Sequence, residues 1–375
     1  MDVRPEELLA LIGGPGARRA GRCAGNSCRG SARRGWARSD EPVRRPALIH
    51  GVCCHLVINR FFSRAPEPQV DPTLGNPEAQ LVRALLAQGD WRQADNVLEQ
   101  MRDWDLRDLV VAAASEQPGR PEWIEAWTNE RPSSASGWLV RGAHTVQWAW
   151  EARGARTADQ TETTAFALFH RRLADSEDDL GRAAQLAPDD PTPHVWRLVA
   201  GRGLELSLND LWGHFQTAVR LHPEHRFAHN HFLQACCRKW GGSDEQMFEF
   251  ARAAANAAPV GSSLNTLFAE AHIERWLGIA MFREGDPGPY FRQAAVWSEI
   301  QQAADRYLRS PQARLTPRTP WDRNLFTFCF VQMGDVQSAQ TEFRALGPLV
   351  TAHPWQYVGK PVAAFASARQ SVGIK

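Results

Sequence analysis

The sequence predicts an all-α protein: an α-solenoid of antiparallel helix pairs over residues 71–375, preceded by a disordered or low-complexity basic segment over 1–70. Three observations carry this. The stretches Ala183-Ala-Gln-Leu-Ala-Pro188, Ala218-Val-Arg-Leu-His-Pro223 and Ala254-Ala-Asn-Ala-Ala-Pro259 echo one another, and their prolines lie 35 and 36 residues apart. A period of that size, with helix-forming residues between the echoes, marks an array of helix–turn–helix units that bury their apolar faces against one another. Helix starts with capping side chains recur along the chain. No run alternates as a strand does, and no Asn-Gly hairpin turn occurs.

Residues 13–46 combine few apolar side chains with scattered Arg, Ser and Gly, too little burial to offset the entropy of ordering. They read as a disordered tail or as out-of-frame sequence ahead of a start near residue 70. The other reading, a basic arm for nucleic acid, lacks interleaved aromatics apart from Trp36. Pro66, Pro68 and Pro72 mark a stiff linker. Asn76-Pro77-Glu78 then opens a helix with a cap, a proline in its first turn and an acid near the positive dipole end. Gly89-Asp90 breaks it, and Trp91, Ala94, Val97, Leu98 and Met101 resume the helical period. Asp190-Pro191 caps a helix running to about Leu206, and Asn209 caps one running to Leu221. Ser243-Asp-Glu-Gln246 fits a capping box. Thr319-Pro320 starts a further helix, and Gly334-Asp335-Val-Gln-Ser-Ala339 repeats the turn at Gly89. The expected layout is about 14 helices in seven pairs from 76 to 348, closed by a short helix near 361–370.

Composition narrows the function. Hydrophobic residues make up 43% of the 375, enough for a packed core. Net charge is +1, but residues 1–70 carry 12 Arg against 6 acids, which leaves 31 basic residues against 36 acids in 71–375. The folded part therefore has no basic field for nucleic acid. Only three of the basic residues are Lys, a coding bias that suggests a GC-rich bacterial gene. The apolar run 47–62 holds His50, His55 and Asn59 and is too short and polar for a membrane span. Seven Cys do not form a disulfide framework in a chain of this length, and adjacent Cys236 and Cys237 cannot easily bridge on a helix. With no leader-like opening, a cytoplasmic location is expected.

The Gly-Asp-x-x-x-Ala turns at Gly89 and Gly334 and the Ala-x-x-Leu-x-Pro helix end resemble tetratricopeptide repeats, best over 77–103, 162–259 and 322–347. The aromatic, Leu-Gly and Tyr positions of that repeat's first helix do not fall in register: Trp196 could begin the pattern, but Gly201 and Gly203 stand at other offsets. The chain thus resembles a degenerate, tetratricopeptide-like bacterial protein of unknown function. The resemblance implies protein or peptide binding on the inner face and names no partner.

The most suggestive cluster is His222-Pro-Glu-His225-Arg-Phe-Ala-His229-Asn-His231. His225 and His229 lie one turn apart and could share a metal with Glu224 or His222. The plainer reading sets His222 and His225 on a turn, with His225 partly exposed and the others on a half-exposed helix face. His272-Ile-Glu274 lacks the Pro-Cys-x-x-Cys partner of a zinc deaminase. Cys23, Cys28, Cys53, Cys54 and His55 make at best a weak zinc pattern. Gly13-Gly-Pro-Gly16 lacks the Lys and hydroxyl residue of a phosphate loop. Fifteen Trp suit either wedges between irregular helix pairs or an aromatic binding surface. The leading expectation is a non-enzymatic scaffold that binds a protein or peptide in a concave groove, through His194, Arg197, His225 and His229. The alternative is a metal-dependent enzyme or small-molecule sensor with its site near His222–His231. No cofactor, nucleic acid or membrane is expected.

Overall fold

A computed structural model of the chain describes residues 67–154 and 163–374, all within one compact unit. Expectations for residues 1–66, including the cysteine pattern and the Gly-rich turn, lie outside the described residues. Fourteen described α-helices fill the stretch from 76 to 348, and a fifteenth follows. They are α1 Pro77–Ala87, α2 Trp91–Glu99, α3 Trp104–Ser115, α4 Glu122–Glu130, α5 Ala135–Arg153, α6 Thr163–Leu186, α7 Thr192–Gly203 and α8 Leu208–Leu221. Then come α9 Arg226–Cys236, α10 Asp244–Ala257, α11 Thr266–Met281, α12 Ala294–Arg306, α13 Thr319–Met333, α14 Val336–Leu346 and α15 Pro361–Ser371.

The helix ends follow from local chemistry. Asn76 Oδ1 accepts from Ala79 N at 2.9 Å and starts α1. Asp90 and Asp335 cap α2 and α14 through Gln93 N and Ser338 N, each at 3.1 Å. Each aspartate follows a glycine in the left-handed region, Gly89 at φ 75° and Gly334 at φ 80°, where a side chain would be strained. Ser243 Oγ accepts from Gln246 N at 3.2 Å and starts α10. One cap moves: Ser207 Oγ accepts from Asp210 N at 3.2 Å and starts α8, which leaves Asn209 inside the helix. The three echoed prolines occupy equivalent places, since Pro188, Pro223 and Pro259 lie in the turns that follow α6, α8 and α10.

The apolar faces assemble into three clusters. The first joins α1–α7 around Val82, Leu98, Trp127, Leu139 and Leu180. The second joins α7–α11 around Trp212, Phe215, Phe232 and Phe250. The third joins α10–α15 around Phe291, Phe328, Phe343, Trp355 and Phe365. Of the described tryptophans only Trp297 is fully on the surface, so most serve as wedges between helices.

Contacts also run between elements far apart in sequence. Strand β1, Gln69–Val70, pairs in parallel with β2, Leu349–Val350. Gln69 and Val70, just before the expected boundary at 71, thereby join the folded unit. Arg318, ahead of α13, donates Nη2 to Asp108 of α3 at 2.6 Å, and Phe227 of α9 packs edge-on against Trp321 of α13 at 5.4 Å. In an ideal solenoid each unit meets only its neighbours. These contacts add a second layer of connection to that scheme.

Candidate functional site: a cationic and aromatic cavity at the helix ends

The four residues expected to line a groove do not converge. His194 is half-buried in the first turn of α7, its ring 6.3 Å from that of His214. Burial and the nearby Arg197 charge lower its pKa to about 4. Arg197 donates Nε to Glu177 of α6 at 2.8 Å, so its charge is already paired. His225 and His229 are fully buried, which corrects the expected partial exposure of His225 and leaves neither a face open to a ligand. His225 caps α9, its Nδ1 accepting from Ala228 N at 3.3 Å. His229 Nδ1 hydrogen-bonds His225 O at 2.9 Å, and its ring lies edge-on to Phe215. Burial brings the His229 pKa to about 3.

The rest of the histidine cluster also points apart. His222 Nε2 meets Asp105 Oδ2 at 3.0 Å. Burial opposes its charged form, but the hydrogen bond and charge of Asp105 prevail and raise its pKa. His231 sits edge-on to Phe227 at 5.1 Å. Among the described residues no group of three or more His, Cys, Asp or Glu is arranged to hold a metal. His272 and Glu274 diverge likewise: His272 meets Tyr290 Oη and Glu299 Oε2, whereas Glu274 pairs with Lys239 at 2.6 Å.

The residue after His225 centres a buried ionic cluster. Arg226, at the first position of α9, donates Nε to Asp322 at 2.9 Å and Nη2 to Glu270 at 3.3 Å, all three side chains fully buried. Tyr307 Oη donates to Asp322 and Asn230 Nδ2 donates to Glu270. Asp105 of α3 accepts from Arg226 N at 3.3 Å. Desolvation raises Glu270 to about 7 and Asp322 to about 6 despite the facing guanidinium. This cluster ties α3, α9, α11 and α13 together.

Open volume lies instead where α5, α7, α9 and α11 end. A cavity of about 880 Å³ there is lined by Phe166, Phe169, Arg202, Lys239, Trp240 and Phe282, with Arg153 and Arg238 also in its wall. Last-turn positions favour cations because the helix C-terminus carries partial negative charge. Arg238 and Lys239 are paired with Glu284 and Glu274. Arg153 and Arg202 make no ion pair with a described residue, and the one acid in the wall is the exposed Glu205. Arg202 Nε and Nη1 are shut off from solvent and hydrogen-bond to no described residue. The guanidinium lies beside an edge-on pair of indoles, 5.2 Å from the Trp240 ring and 5.9 Å from that of Trp150. Burial lowers its pKa, and the aromatic faces offset part of that cost.

Trp150 stacks edge-on against both Trp240 and Phe169 and borders a second cavity of about 670 Å³ on its other side. Trp196 and His231 share that wall, and the buried Nε1 atoms of Trp150 and Trp196 also hydrogen-bond to no described residue. In the sequence Gly203 stands out only as out of register with the tetratricopeptide pattern, Trp150 and Trp240 are two of fifteen tryptophans that suit wedges or a binding surface, and Arg202 carries no signal of its own. Taken together, arginines in the last turns of α5 and α7, Arg153 and Arg202, were the available signal.

The structure therefore defines a helical protein with a cavity of about 880 Å³ lined with cations and aromatics. A family model described as a domain of unknown function (DUF4034) matches residues 80–196, from α1 into α7. That stretch is similar to a family without an assigned activity. No curated protein matches the chain. Among the described residues no helix is long and apolar enough to cross a membrane.

Proposed function

We propose that this chain is a non-catalytic helical-repeat scaffold, tetratricopeptide-like in construction, that binds a protein or peptide partner and holds part of it in the cavity at the ends of α5, α7, α9 and α11. The equivalent placement of Pro188, Pro223 and Pro259 supports the repeat construction. One observation carries the binding role: Arg202 is set into the wall of an 880 Å³ cavity, its guanidinium hydrogen-bonds to no described residue, and Nη2 is not sealed from solvent as Nε and Nη1 are. Buried polar groups are normally paired, so a donor left open at a cavity points to a bound acceptor. The three described cysteines are buried free thiols, which suits a reducing cytoplasm.

The test is affinity capture with the tagged full chain from its own cells. Partners retained by the native protein and lost by a Met281→Glu variant, which places a carboxylate at an exposed position of the cavity wall, support the reading. Retention of the same partners by that variant sinks it. A second reading, a small-molecule sensor, draws on the cavity volume, which falls within the roughly 300–1,000 Å³ of small-ligand pockets.

A further inference from the structure

We propose that the cavity at the ends of α5, α7, α9 and α11 recognises a single carboxylate carried on an apolar body, with Arg202 as the anchor and Arg153 at the rim. The inference rests on the reading that this cavity is a binding site and adds the chemistry that fills it.

Three features select that chemistry. The anchor is a donor: Arg202 stands in the cavity wall and hydrogen-bonds to no described residue, with Nε and Nη1 sealed from solvent and Nη2 the nitrogen left open to the space. A guanidinium has five N–H groups and no acceptor, so its missing partner must supply oxygen lone pairs, and a carboxylate matches the fork in pairs. The charge balance agrees, because Arg153 and Arg202 make no ion pair with a described residue while Arg238 and Lys239 have theirs. Among the described residues, an arriving anion would meet these two cations and one exposed acid of the wall, Glu205. The remaining wall is apolar, with Phe166, Phe169, Met281 and Phe282 facing the same space. A strongly hydrated polyanion gains nothing from such a wall, whereas an alkyl or aromatic body is desolvated by it. The indole faces of Trp240 and Trp150 hold the guanidinium in place, so less freedom is lost when the ligand docks.

Two sources offer this chemistry: a free apolar carboxylic acid, and the C-terminus of a peptide ending in apolar residues. Both are tested by calorimetric titration of the full chain with matched pairs. One pair is octanoate and octanamide. The other is acetyl-Ala-Leu-Phe as the free acid and as the amide. The expected result is that the acid of at least one pair binds about tenfold or more tightly than its amide, the ratio of a charge-assisted contact to a neutral one. The pair that discriminates identifies the source. Arg202→Met should bring the acid down to the level of its amide, and Arg202→Lys should restore part of the preference. Arg202→Met removes an unpaired buried charge, so its helical circular dichroism should be retained. If that variant does not fold, Arg153→Gln, at the half-buried rim, should still narrow the acid-to-amide ratio.

Equal binding of acid and amide by the native protein overturns the inference, as does failure of both acids to bind. It is also overturned if Arg202→Met keeps the full acid preference. Partners captured equally by native and Arg202→Met protein would leave the scaffold reading standing and sink this one. Octanoate bound with the expected preference by a protein that captures no partner would do the reverse.

Discussion

Arg226 is the centre of a fully buried ionic cluster. Its guanidinium faces Glu270 and Asp322 with no exposure of any of the three side chains. A buried ion pair adds little net stability when whole, but removing one partner leaves the others charged in a low dielectric. Arg226→Met should therefore cost about 3–5 kcal/mol in denaturant unfolding. A loss under about 1 kcal/mol would mean that the two carboxyls are protonated at neutral pH and need no counter-charge.

The buried imidazoles set a pH dependence. His229 titrates at about 3, and His194, His214 and His353 at about 4, each lowered chiefly by burial from 6.5. These groups are neutral in the folded chain and take up protons on unfolding below pH 6.5, so their stabilisation is lost as pH falls from 6.5 toward 4. Glu270 and Asp322, raised to about 7 and about 6, act in the opposite sense, as does His222. His144, His225 and His231 are lowered as well, and Glu116, Asp179 and Glu342 are raised, so seven lowered imidazoles stand against six raised groups and the imidazoles prevail. The melting temperature should fall steadily between pH 6.5 and 4. A flat or rising profile by differential scanning calorimetry would contradict this.

At the scale of elements, short polar signals fix where helices begin. Asp90 accepts from Gln93 N and satisfies one of the free donors at the start of α2. Asp90→Ala should cost about 1 kcal/mol, while Asp90→Ser should cost clearly less. Equal losses for both would indicate that the cap contributes nothing and that the tight turn alone fixes the helix start. Most of these starts were legible, because capping side chain, glycine and proline act on the nearest few residues. The exception is instructive. Ser207 and Asn209 are both good caps, and neighbouring sequence does not rank them. Packing of Leu211 and Phe215 into the core sets the phase of α8, and that phase puts Ser207 at its start.

For the whole molecule, long-range ties matter most. The β1–β2 pair, the Arg318–Asp108 ion pair and the contacts of Asp105 with His222 and Arg226 join segments 100 or more residues apart. An array held only by neighbouring contacts can lose units progressively. Here the first and third apolar clusters are linked directly, since Trp321 packs against both. Thermal unfolding followed by helical circular dichroism and by tryptophan fluorescence should give coincident transitions. Two separated transitions would show that the long-range ties are too weak to couple the ends.

Sequence by itself determined the helical class, the number of helices between 76 and 348, the proline-marked turns and most caps. Each of these depends on side chains within about one helical turn of one another, and that information is local. It did not determine which polar residues would be buried. His225 and His229 carry the same local signal whether they face solvent or a core, and only α3, α8 and α10 packed around them decided the matter. Nor did it reveal Arg202, since a last-turn arginine is ordinarily a solvated answer to the helix dipole. Its lack of a hydrogen-bonded carboxylate among the described residues, and the cavity it faces, depend on where three other helices end. Burial and cavities are properties of distances between elements, and the spacing of residues along one chain does not encode them until those elements have packed.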